Sequence, residues 1–84
     1  MILIKAKQTC EGEIKTAREY AKIGKEYMKQ NRLDDAEEWF KYALTNNKIC
    51  GNYKGIGDNL TDLGKIYQEN FLKIYMIFHQ TLFI

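Results

Sequence analysis

The sequence predicts an all-α fold, and three observations carry that reading. Proline is absent from all 84 residues, so nothing removes an amide donor from the interior of a helix. Lys, Glu, Ala, Leu, Ile and Tyr are plentiful, leaving only a few glycines and asparagines to punctuate long helices. Apolar and small residues recur with helical rather than strand spacing, at i, i+3, i+4 and i+7. A hydrophobic fraction of 45% with 29% charged residues is too apolar for disorder and too charged for a membrane bundle. A folded, soluble unit is expected, with residues 1–84 forming one domain.

The first amphipathic stretch contains Tyr20, Ile23, Gly24 and Tyr27. A polar segment from Lys29 to Asp35 follows, and Asp34 with Glu37 three residues later predicts a capping-box start to the next helix. That helix carries Ala36, Trp39, Phe40, Ala43 and Leu44, ends at Thr45-Asn46-Asn47, and runs antiparallel to the first. Gly51, Gly55 and Gly57 weaken helicity before Asp58, although a third helix is compatible with a start as early as Asn52. Its periodic residues are Leu60, Leu63, Gly64 and Tyr67.

Offsetting the chain by forty residues pairs Cys10 with Cys50, Gly24 with Gly64, Lys25 with Lys65 and Tyr27 with Tyr67, which marks an internal repeat. Small residues at Gly24 and Ala36 allow two helix backbones to approach, with Tyr27 and Phe40 filling the volume beside the contact. Tyr20-x2-Ile23-Gly24-x2-Tyr27 followed by Ala36-x3-Phe40-x2-Ala43 resembles the tetratricopeptide repeat, and the forty-residue offset resembles its longer subtype. The resemblance implies antiparallel helical hairpins stacked as a short α-solenoid. Repeat one spans about 16–49 and repeat two about 52–84, the second atypical after Asn70. Ile23, Gly24, Tyr27, Ala36, Phe40, Leu63, Gly64 and Tyr67 are the expected structural residues.

The second copy departs from the family pattern. Lys48 stands where a closing proline is common, the turn after Tyr67 is two residues short, and Ile74 takes a position usually held by alanine. Two readings of residues 53–84 stay open: a hairpin turning near Asn70-Phe71, which is favoured, or one continuous helix.

The resemblance implies protein binding rather than catalysis, with the first helix of each repeat lining a concave groove that holds a peptide or a partner helix. Candidate groove residues are Arg18, Lys22, Lys25 and Lys29 in repeat one, and Asp58, Asp62, Lys65 and Glu69 in repeat two. Their spacing of three and four puts each set on one helix face. The carboxylate clamp of chaperone co-factors in the family is not expected, because Ala21, Lys25 and Asp62 occupy its positions and Asp62 repels a carboxylate.

Residues 71–84 hold ten apolar side chains in fourteen, distributed around most of a helix, and such a helix expects burial on more than one side. Self-association, as a homodimer or another oligomer, is the expected cover, carried by Phe71, Ile74, Ile77, Phe78 and Leu82. The alternatives are a purely structural oligomerisation domain, or a fragment of a longer solenoid with no ligand of its own.

Other chemistry finds little support. Thirteen Lys+Arg against eleven Asp+Glu leave a net charge of +2, well short of the basic excess of nucleic-acid binders. Tyr20, Trp39 and Tyr42 are expected in the core rather than as a base-stacking platform. No catalytic residue, cofactor-binding residue or metal ligand is assigned, since no nucleotide-loop, metalloprotease or nucleophile-elbow motif occurs and His79 has no nearby acid or thiol. The apolar opening Met1-Ile2-Leu3-Ile4 is too short for a secretory signal and residues 71–84 too short for a membrane span. A cytoplasmic location with reduced thiols is therefore expected. An internal Cys10–Cys50 disulfide is not, because equivalent positions in neighbouring repeats lie roughly 8–10 Å apart.

Overall fold

The computed structural model describes the backbone of residues 2–83 and the side chains of residues 10–80. Three helices follow one another: α1 (Ile2–Lys29), α2 (Leu33–Ile49) and α3 (Tyr53–Phe83). The all-α expectation holds, and α1 begins well before the first repeat was expected to start.

Both turns use the same physical device. Asn31 adopts φ 60 and Gly51 φ 62, the left-handed conformation that only glycine and small polar residues tolerate readily. Each places two amides on the carbonyls that the helix end leaves open. Asn31 N donates to Met28 O and Arg32 N to Tyr27 O, both at 2.9 Å; Gly51 N donates to Lys48 O at 3.1 Å and Asn52 N to Asn47 O at 2.9 Å. These are Schellman terminations, and they fold α2 back on α1 and α3 back on α2. The expected Asp34 cap does not form. Arg32 is the N-cap and makes no side-chain capping bond, while Asp34 and Asp35 lie within the first turn of α2, where carboxylates complement the helix dipole. Arg32 instead pairs with Asp35 at 2.7 Å and lies 4.7 Å over the Tyr27 ring.

The core sits where the helices cross. Leu33, Ala36 and Phe40 of α2 pack with Leu63 and Ile66 of α3, flanked by Ala21, Tyr27, Met28 and Leu44. A Cβ on Gly24 would stand 2.8–3.0 Å from three carbons of the Phe40 ring, so this glycine is the notch that admits the ring. The close approach read from the sequence is present there. It is absent at Gly64, where a Cβ would meet nothing within 4 Å. Ile23, at 37% exposure, and Tyr67, at 48%, also lie outside the core.

Two asparagines are buried at the junction of α2 and α3. Asn47 Nδ2 donates to Asn59 Oδ1 at 2.6 Å, and Asn52 Nδ2 donates to Asn47 Oδ1 at 2.9 Å. Gly55 packs directly over the Asn47 amide, since a Cβ there would fall 2.6 Å from Asn47 Cγ. Nearer the other end of α2, Tyr67 Oη donates to Glu37 Oε2 at 2.7 Å, with Lys41 Nζ on the same oxygen at 3.0 Å. The Tyr67 hydroxyl, then Lys41, hold the Glu37 carboxyl below its ordinary pKa, and the same bond raises that of Tyr67.

The favoured hairpin near Asn70 does not form, and α3 continues unbroken to Phe83. Asn70 is the one residue between Tyr67 and Phe83 of the kind that ends α1 and α2, but it keeps helical geometry where Asn31 and Gly51 turn left-handed, and each further residue adds a helical hydrogen bond at little cost. The α1–α2 turn marks the end of the bundle, where Lys73 Nζ reaches Asn31 Oδ1 at 3.4 Å. Beyond it α3 projects as an arm. The molecule measures 62 × 22 × 15 Å with a radius of gyration of 16.5 Å, against about 12 Å for a compact domain of this length.

The two cysteines are joined as a disulfide, with Cα atoms 5.6 Å apart, and this overturns the expected pair of reduced thiols. The forty-residue offset does not make them equivalent. Cys10 lies within α1, whereas Cys50 is the residue that caps α2, and antiparallel packing carries that cap back beside α1.

Candidate functional site

Two surfaces emerge from this arrangement. The first is a cleft of about 290 Å³ between α1 and α3, floored by the end of α2. Of the eight groove candidates it gathers Arg18 and Lys25 from α1 and Asp58 and Asp62 from α3. The other four lie outside its lining. Lys22 pairs with Glu19 at 3.8 Å and Lys29 with Glu26 at 3.4 Å, and Lys65 and Glu69 are exposed on α3. Cations from α1 thus confront carboxylates from α3 across the cleft. Burial in the cleft raises the pKa of Asp62 despite the opposing pull of Lys25 and Lys65, and Asp58 adds to the rise.

Sequence reasoning missed the cleft's polar floor, formed by Asn47, Asn52 and Asn59, and its third cation, Lys54. A signal was present for Asn59: it falls on the same i, i+4, i+7 stripe as Leu63 and Ile66. Asn47 carried none, because α2 was expected to stop there.

The second surface is the arm. Residues 71–80 are all exposed, and Phe71, Leu72, Ile74, Tyr75, Met76, Ile77 and Phe78 each show between 48% and 67% of their surface. Four of the five self-association candidates, Phe71, Ile74, Ile77 and Phe78, are thereby on display. The fifth, Leu82, has its side chain outside the described residues. Phe71, Tyr75 and His79 stack along one side of the arm, with ring centroids 6.4 and 5.7 Å apart.

Tyr20, Trp39 and Tyr42 are not core residues. They meet in a surface cluster with centroids 5.5–6.0 Å apart, beside a shallow hollow lined only by α1 and α2 residues. The Phe40 side of α2 fills the core, so the opposite side holds its aromatics outside it. Among the described residues there is no group of three or more His, Cys, Asp or Glu side chains placed to hold a metal ion, and no helix is long and apolar enough to cross a membrane.

The chain matches no protein-family model, no curated protein and no solved structure.

Proposed function

We propose that this chain is a protein–protein interaction module, tetratricopeptide-like in its first hairpin, whose main contact is self-association through the α3 arm. One observation carries the reading: an arm in which every residue from 71 to 80 is exposed and most are large and apolar. Leaving that surface in water is unfavourable by about 25 cal/mol per Å², and contiguous apolar patches of this kind mark association sites. Light scattering over a hundredfold concentration range in non-reducing buffer is expected to give a mass above that of one 9.9 kDa chain. Denaturing mass measurement without reductant should return single chains, separating this from intermolecular disulfides. A monomer at every concentration would sink the proposal.

The cleft supports a second reading, as a groove for an extended peptide, because Arg18 and Lys25 face Asp58 and Asp62 across it. A peptide bearing both charges would complement such a site. Selection from a random peptide library is expected to enrich sequences that carry an acidic and a basic residue. Lys25→Glu should reduce their affinity tenfold or more without altering oligomer mass. Enrichment of purely apolar peptides, or indifference to the reversal, would remove this reading.

A further inference from the structure

The arm is one end of a longer feature. Leu60, Gly64, Tyr67, Phe71, Ile74 and Phe78 succeed one another at intervals of four, three, four, three and four residues, the heptad spacing of a coiled-coil seam. The five large side chains are 48–67% exposed, and a Cβ at Gly64 would meet only open space. The seam therefore runs along a side of α3 that the bundle leaves largely exposed, although the Tyr67 hydroxyl reaches across to Glu37 of α2. The charged residues of this stretch, Asp62, Lys65, Glu69 and Lys73, all fall off it.

We propose that a second copy of this chain covers the seam, its α3 running antiparallel so that Ile74 of each copy fills the notch at Gly64 of the other. The inference rests on the self-association reading above and specifies its geometry. Two features select a second copy as the occupant. The seam is self-complementary in this register: Leu60 meets Phe78, Gly64 meets Ile74 and Tyr67 meets Phe71, each contact occurring twice about a two-fold axis, so the assembly closes as a dimer. The register also sets the bare arm of one copy, from Phe71 onward, beside the bundle-bearing part of the other α3, so the two bundles lie end to end. The arm then occupies the place of the helix that repeat two was expected to supply from its own chain.

The surface available is sufficient. Taking about 200 Å² for a large side chain, the five exposed side chains present about 600 Å² per copy. Covering both sets buries about 1,200 Å², the lower bound for a stable, specific interface.

The test uses the full chain with its disulfide intact. Gly64→Arg fills the notch with a charge, and its Cβ would meet nothing within 4 Å in its own monomer, so the fold should be retained by circular dichroism and the dimer dissociation constant should rise at least a hundredfold. Glu69→Arg, off the seam, should leave it unchanged. Gly64→Cys combined with Ile74→Cys should form a covalent dimer on oxidation, whereas Ile74→Cys alone should not. A dimer that tolerates Gly64→Arg and resists the double-cysteine cross-link would overturn this register while leaving self-association intact. Efficient cross-linking by Ile74→Cys alone would overturn it in favour of a parallel pairing, and a wild-type protein that is monomeric throughout would overturn both readings.

Discussion

Reducing the Cys10–Cys50 disulfide is expected to lower the stability of the fold by about 4 kcal/mol, the value for a bridge that closes a loop of roughly forty residues. The bridge joins positions separated by 40 residues and restricts the unfolded chain far more than the folded one. Its two ends are already brought together by the α1–α2 hairpin, whose own turn is satisfied by the Asn31 termination. At roughly 4–8 °C per kcal/mol for a domain of this size, the melting temperature should fall by about 15–30 °C. Thermal melts with and without reductant, and of the double variant Cys10→Ser/Cys50→Ser, provide the measurement. The reduced protein and the double variant should agree. A shift of only a degree or two in both would show that the bridge contributes nothing to the fold.

The second large effect is expected at the contact between Gly24 and Phe40. Phe40 is fully buried, and removing its ring in Phe40→Ala should cost about 3–5 kcal/mol through lost burial and the cavity left behind. Gly24→Leu attacks the same contact from the other side. Even its Cβ would lie within 3.0 Å of ring carbons, and a whole side chain has no room unless the helices separate, so a loss of about 3 kcal/mol is expected from overpacking. Urea denaturation followed by circular dichroism measures both. The informative variant is Gly24→Ala combined with Phe40→Leu, because a smaller partner relieves the clash. The pair should be less destabilised than the sum of its single changes, by about 0.5–3 kcal/mol of coupling. Strict additivity would mean that the two residues do not share this contact.

These two expectations differ in how far the sequence anticipated them. Gly24 and Phe40 were legible because both lie on short-range helical patterns, and a small residue facing an aromatic one has few explanations other than close packing. The disulfide was not legible. Its ends are forty residues apart, and the internal repeat suggested equivalent positions in parallel helices, whereas Cys50 is a helix cap delivered to α1 by chain reversal. Four of the eight candidate groove residues line one cleft. The charged faces of α1 and α3 were found from their spacing, but only crossing geometry decided that Arg18, Lys25, Asp58 and Asp62 share a cleft while Lys22, Lys29, Lys65 and Glu69 do not.

Local physics in the amino-acid order alone determined that the chain is helical, that it turns between Tyr27 and Ala36 and again in the glycine-rich stretch after Asn47, and that Gly24 and Phe40 lie at one close helix contact. These depend on proline's absence, on residues such as Asn31 and Gly51 that accept the left-handed conformation, and on 3.6-residue periodicity. The tertiary structure alone decided that Tyr20, Trp39 and Tyr42 lie outside the core, that Asn47 and Asn59 are buried against each other, and that α3 passes Asn70 without turning. Each of these depends on what stands opposite a residue in space. The apolar pattern of residues 71–83 fits a buried hairpin helix and a projecting arm equally well. The choice between them rests on the bundle ending at the α1–α2 turn, beyond which residues 71–80 are exposed.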